Sequence, residues 1–213
     1  MHTDSMAFDE ENELVPFAAR QIIGLYQRHA ATWTKLRGDR LIERSWLDKF
    51  LSKSNRGPIL DIGCGSGVPI ARYLIQNGRQ VVGIDSSPQM IAMCREHHPQ
   101  GDWHISDMRT LRLGKAFGGI LAWDSLFHLH PEDQRKMFPI FGAHANPGAP
   151  LMFTSGPAFG EAIGDLAGEP LYHASLDRQE YLALLNENGF TVLDHVVEDQ
   201  NCGGRTVWLS TLD

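Results

Sequence analysis

Apolar positions along the chain change their period repeatedly, and each change marks an element. From residue 14 to 51 they fall three and four apart: Phe17, Ile22, Leu25 and Tyr26, then Trp33, Leu36, Leu41, Trp46, Leu47 and Phe50. Pro16 stands where a first helical turn would begin, so this stretch predicts helices. The polar residues 53–57 break the pattern. Pro58–Ile62 is then a short apolar run ending at a glycine cluster, the mark of a buried strand. Val68, Ala71, Leu74 and Ile75 return to helical spacing and stop at Gly78. The unit repeats, with strands predicted at Gln80–Ile84, Asp102–Ile105, Gly118–Trp123 and Ala149–Thr154. Helices are predicted at Pro88–His97, at Pro131–His144, and at Asp177–Asn188 between a capping Asp177 and Gly189. The tail differs. Phe190–Val197 and Thr206–Thr211 are two β-rich runs joined by a turn at Asn201–Gly204, which predicts an antiparallel hairpin.

Strands alternating with helices predict an α/β fold whose parallel sheet is covered on both faces, with the terminal hairpin adding an antiparallel strand to its edge. Residues 1–52 are expected to form an N-terminal helical cap or lid, and residues 53–213 the main unit. The stretch Gly156–Ser175 after the fifth strand is expected to be a solvated loop serving as a substrate lid, with Glu161, Asp165, Glu169, Tyr172 and His173 along it.

Composition narrows the possible partners. The 213 residues suit one domain, or one domain with a small appendage. At 42% hydrophobic and 21% charged, the chain is neither disordered nor fibrous. A net charge of −7 without a basic stripe argues against nucleic acid or an anionic membrane as partner. The three cysteines, Cys64, Cys94 and Cys202, form no C-x-x-C pair, and no apolar run reaches the roughly 20 residues of a membrane span. With a polar, acidic first dozen residues, the expected setting is cytoplasmic. His97-His98 and His128-x-His130 lack a third ligand at metal spacing, so no metal site is expected.

Ligands of open α/β sheets bind beyond the carboxyl ends of the strands. After the first strand stands Asp61-Ile62-Gly63-Cys64-Gly65-Ser66-Gly67, a tight turn that lets a ligand approach the backbone. A dinucleotide fingerprint fails here, because Val68 stands where G-x-G-x-x-G needs glycine. Asp61 would also be an awkward neighbour for a pyrophosphate, but it suits a ligand carrying positive charge. Asp85, after the second strand, can grip two ribose hydroxyls, while Ser86 and Ser87 also read as a cap before Pro88. Asp107 beside Met108 can accept from an exocyclic amine, and Trp123-Asp124 follows the fourth strand. One such acid is ordinary; four in succession are not.

Over residues 57 to 211 these segments resemble the class I S-adenosylmethionine-dependent methyltransferases. Ile59 to Gly67 is similar to the first motif of that family, the Asp85 and Asp107 segments to the second and third, and Ala122-Trp123-Asp124-Ser125 to the fourth. The resemblance implies a Rossmann-like, seven-stranded, mostly parallel sheet with its last strand antiparallel. It implies S-adenosylmethionine as cofactor and a methyl group transferred to an oxygen or nitrogen of a small molecule. Gly63, Gly65 and Gly67 would pack on the methionine and ribose portions, with Asp61 near the ammonium. Asp85 would hold the ribose, Asp107 and the Met108 amide the adenine. Trp123 would offer its carbonyl to the ammonium, and Asp124 would lie beside the methyl. Tyr26, Ala30, Trp33 and Arg37 look like the family's cofactor-covering helix, with Arg37 able to pair the methionine carboxylate. Trp33, Trp123, Phe127 and Tyr172 are candidates for an aromatic wall around the sulfonium. His128 is the first candidate to take a proton from the acceptor and His173 the second. The alternative is a domain that binds the cofactor without catalysis, since the binding residues would be the same.

Overall fold

Central strands that are apolar on both faces need helices above and below, and the chain supplies them. The computed structural model describes residues 5–213, with side chains from residue 17 onward, so residues 1–4 of the expected cap lie outside the described residues. In chain order the elements are α1 (Ser5–Arg37), α2 (Arg44–Lys53), β1 (Ile59–Ile62), α3 (Ile70–Gln76), β2 (Val81–Asp85) and α4 (Pro88–His97). They continue as β3 (Asp102–Ile105), β4 (Gly119–Ala122), α5 (Pro131–His144), β5 (Pro150–Ser155), β6 (Gly160–Leu166) and β7 (Glu169–Ser175). The chain closes with α6 (Arg178–Glu187), β8 (Phe190–Asp199) and β9 (Arg205–Leu212). Helix α1 begins ahead of Pro16, the residue predicted to open it.

Seven strands form one sheet in the order β3-β2-β1-β4-β5-β9-β8. Strands β1 to β5 pair in parallel, and β9 runs antiparallel to both β5 and β8. The reversed strand therefore lies one place in from the edge, and β8, parallel to the rest, forms the edge itself. The predicted hairpin is present, but its second strand, β9, is the one that enters the sheet. Alternation along each strand divides the core in two. Leu60, Ile84, Ile120 and Phe153 pack with Phe138 and Phe141 of α5 and Tyr181 of α6. Ile59, Val81, Leu121 and Met152 pack with Trp46 and Phe50 of α2, Leu74 of α3 and Ile91 of α4. Caps set the helix starts: Ser87 accepts from the Met90 amide at 3.2 Å ahead of Pro88, and Asp177 accepts from the Glu180 amide at 2.8 Å.

The stretch 156–175 departs from the expected loop. It contains a second, two-stranded sheet in which β6 and β7 pair antiparallel from Gly160↔Ser175 to Leu166↔Glu169. The connecting Ala167 and Gly168 both have positive φ, 56° and 84°, the backbone of a two-residue hairpin turn. Alanine at such a position carries no turn signal, so the hairpin was hidden in the sequence. Helix α1 lies on this hairpin through two small clusters, Ala18 with Tyr172 and Ala174, and Leu25 with Leu166 and Leu171. It changes direction at His29, whose φ and ψ (−108°, 18°) are not helical. No described helix is long and apolar enough to cross a membrane.

Candidate active site

The chain reverses its direction of travel across the sheet between β1 and β4, and the cleft lies beyond that point. The turn after β1 is tied to the end of β2. The Gly63 and Cys64 amides donate to the Ile84 carbonyl at 2.8 and 3.0 Å, and the Gly65 amide to Asp85 Oδ2 at 3.0 Å. Gly63 has φ 77°, and a Cβ there would sit 2.4 Å from that of Ser125, so no side chain fits. A Cβ on Gly65 would meet nothing within 4 Å, because this residue borders the open cleft. Gly67 is different. Its Cβ would lie 3.3 Å from Cys94 Sγ and 3.2 Å from the His98 ring, and it does not line the cleft. This corrects its expected ligand contact: Gly67 lets α4 approach the turn.

The cleft has about 830 Å³ of empty space and collects most of the predicted positions. Asp85, Ser86, Asp107 and Met108 line it together with Tyr26, Trp33 and Asp124. Asp85 Oδ1 also accepts from the Ser87 amide at 2.9 Å, so both its oxygens have one fixed donor. Burial raises its pKa and these two amides oppose the rise. Asp107 is already engaged, since Arg109 donates to it from Nε (3.0 Å), Nη2 (2.6 Å) and its backbone amide (2.9 Å). Burial would raise the Asp107 carboxyl, but the Arg109 bonds outweigh it and hold it low. Arg109 was not foreseen, because its pairing depends on the short 3-10 turn at Met108–Thr110.

A neighbouring recess carries the charges expected near an amino-acid group. Asp61, Arg37, Trp123 and Gly65 border it. Asp61 is 3% exposed and its carboxylate makes no hydrogen bond or ion pair among the described residues. Burial, then the nearby Asp85 charge, pushes its pKa up to about 7. Arg37 donates from Nη1 to the Arg40 carbonyl at 3.0 Å and from Nη2 to Glu43.

On the far side of Asp124 lies a second, wider chamber with about 1330 Å³ of empty space. Tyr26, Trp33, Asp124 and His128 border both it and the first cleft. Phe127, Phe159, His173 and Arg205 complete its walls. Asp124 has φ 47°, a left-handed conformation that its amide bond to Thr154 Oγ1 (2.8 Å) helps to hold. Its carboxylate receives Arg205 Nε at 2.9 Å and Nη2 at 2.6 Å. Arg205, at the start of β9, was missed by sequence reasoning, because only tertiary folding brings it to β4.

The two histidines have different surroundings. His128 is 7% exposed, its Nδ1 lies 2.8 Å from the Tyr172 carbonyl and its Nε2 2.7 Å from the Tyr26 hydroxyl. Bonding to a carbonyl oxygen puts the proton on Nδ1, so Tyr26 donates to Nε2. Burial drives the His128 pKa down to about 3. This corrects its expected role, since both nitrogens are occupied and a buried, weakly basic ring cannot take an acceptor's proton. Its ring holds Tyr26 in place instead. His173 faces the second chamber, 4.9 Å from the His128 ring and 5.4 Å from the Phe127 ring, and burial lowers its pKa as well. Tyr172 is fully buried against α1 with its hydroxyl on Glu161 at 2.8 Å, so it is core and not part of an aromatic wall.

Known proteins share this fold. Residues 59–148 match the family described as a methyltransferase domain. The chain is 29% identical over 104 residues to magnesium-protoporphyrin O-methyltransferase of Rhodobacter capsulatus, covering 46% of this chain and 45% of that protein. It is 27% identical over 146 residues to dTDP-3-amino-3,4,6-trideoxy-alpha-D-glucopyranose N,N-dimethyltransferase of Streptomyces venezuelae, covering 64% and 61%. The match thus spans about half of each of these curated relatives. Among solved structures, a SAM-bound amino pentose methyltransferase from Micromonospora echinaspora superposes with a TM-score of 0.69 at 20% identity, over 88% of this chain and 97% of that one. The sheet order agrees with these matches, and the residues matched by the methyltransferase-domain family, 59–148, hold the glycine turn and the acids at successive strand ends.

Proposed function

We propose that the protein transfers a methyl group from S-adenosylmethionine to an oxygen or nitrogen of a small molecule. The observation that carries this reading is the junction at Tyr26, Trp33 and Asp124, where the cleft bordered by Asp85 and Asp107 meets the second chamber. The cleft fits the cofactor. Asp61, buried and its side chain without a hydrogen-bond partner among the described residues, suits the cofactor's ammonium, and Arg37 the cofactor's carboxylate. Asp85 and Ser86 would take the ribose hydroxyls, Asp107 and the Met108 amide the adenine, and Gly63 and Gly65 the space along the chain between them. The Trp123 carbonyl would share the ammonium with Asp61.

When bound, the cofactor supplies a methyl group on a positively charged sulfur, so the protein needs no nucleophile of its own. The task of the side chains is alignment and exclusion of water. Tyr26, held by His128, and Trp33 would close the reacting region from the α1 side. Asp124, fixed by Arg205, would mark its floor. His173 is the group placed to receive a proton from the acceptor, by a bond or through water. Residues 1–52 then act as a helical cap and residues 53–213 as the catalytic unit. The acceptor is a small molecule and not a nucleic acid, consistent with a net charge of −7, and the setting is cytoplasmic. Relatives named for oxygen and for nitrogen acceptors support both choices of atom.

Calorimetry should show binding of S-adenosylmethionine and S-adenosylhomocysteine, but not of NAD or NADP. A methyl-labelled cofactor should then label members of a panel of small amines and alcohols. Binding without label transfer across a broad panel would favour a sensing domain instead.

A further inference from the structure

Glu43 is a wholly buried carboxylate (0% exposed) at the N-cap of α2. A short acidic side chain, aspartate, at that position ordinarily turns back onto the free amides of the first helical turn, whereas glutamate is one methylene longer. This one makes no such bond. Its Oε1 accepts from Arg37 Nη2, and its Oε2 has no partner among the described residues. The Arg37 side chain is 13% exposed and borders the recess beside Asp61, Gly65 and Ser66, whereas Glu43 lines no part of it. A buried ion pair with an open carboxylate oxygen adds little net stability, because desolvation of both charges offsets their attraction. What it does supply is direction. A guanidinium has five N–H donors in one plane, and here one goes to Glu43 and one to the Arg40 carbonyl. With that edge anchored, the remaining donors are left for the recess.

We propose that Glu43 is a positioning residue for the amino-acid end of the cofactor, holding Arg37 so that its free donors meet the cofactor's carboxylate while Asp61 meets the ammonium. This inference rests on the cofactor reading of the cleft. Two ligands separate the two ideas: S-adenosylhomocysteine, which has the amino-acid end, and 5′-methylthioadenosine, which keeps adenine, ribose and sulfur without it. If neither binds the wild-type protein, the cofactor reading and this proposal fall together. Given wild-type binding, Glu43→Gln should weaken S-adenosylhomocysteine by about tenfold and change 5′-methylthioadenosine by less than about twofold. Glu43→Asp, which keeps the charge but withdraws it, should give a smaller loss with the same selectivity, and it carries the comparison if the glutamine variant does not fold. In an Arg37→Ala background the effect of Glu43→Gln on S-adenosylhomocysteine should vanish. Equal losses for both ligands would mean a merely structural role. Unchanged binding, or tighter binding because Glu43 competes for Arg37, would also overturn the proposal.

Discussion

Asp85 joins loop and ligand in one side chain. It fastens the Gly65 and Ser87 amides and faces the cleft where a ribose would lie. Asp85→Ala should therefore cost roughly 2 kcal/mol or more of S-adenosylhomocysteine binding, the worth of two charge-assisted hydrogen bonds. Unchanged affinity by calorimetry in a folded variant would remove Asp85 from the site. Asp61 makes a prediction about pH. Its pKa is raised to about 7 in the folded protein, while an unfolded aspartate titrates near 3.9. Between those values the folded state keeps a proton that the unfolded state has lost. Stability should thus fall as pH rises from about 4 to 7 and level off above, at no more than about 1.4 kcal/mol per pH unit. Asp61→Asn should flatten that slope in chemical denaturation; a slope identical to wild type would show that Asp61 stays ionised throughout. All four strand-end acids were legible in the sequence, because each follows an apolar run whose end is visible. Their partners were not. Arg205 and Arg109 engage Asp124 and Asp107 by contacts that no local pattern encodes.

Helix α1 and the β6–β7 hairpin depend on each other. Beyond their apolar contact, Arg28 and His29 both reach Glu169, with His29 Nε2 2.6 Å from Oε1. Gln27 Oε1 accepts from the Ser87 hydroxyl at 2.7 Å, which ties α1 to the start of α4. Glu169→Ala should release the hairpin from α1 and speed hydrogen exchange in β7 and around the kink at His29, with exchange in β1 and β4 unchanged. Protection of β7 equal to wild type would show that the apolar clusters alone hold the contact. The spans of α4, β3 and α5 coincide with those predicted, because proline starts, caps and apolar spacing agree there. The hairpin was not visible, because its turn uses Ala167 in place of the usual asparagine or glycine.

At the scale of the molecule, β9 is the strand on which closure depends. It has a neighbour on each side, and Trp208 lies between the Phe153 ring at 5.8 Å and the His195 ring at 3.5 Å. Trp208 is 1% exposed, with its Nε1 donating to Ser155 Oγ at 3.0 Å. Trp208→Ala should cost about 3–5 kcal/mol, a large part of an ordinary domain's stability. Urea unfolding would measure it, and a loss under about 1 kcal/mol would mean that β8 and β9 add little to the fold.

By itself the sequence determined the alternation of strands and helices, the class of sheet and the line of acids along its upper rim. Periodicity, caps and glycine turns act within a few residues, so they can be read along the chain. Tertiary structure alone decided that β9 enters between β5 and β8, that residues 160–175 pair as a hairpin beneath α1, and that His128 is sealed between Tyr26 and the Tyr172 carbonyl. Each of these unites residues far apart in the chain. What favours them is shared burial and hydrogen bonding, which exist only once the elements have met.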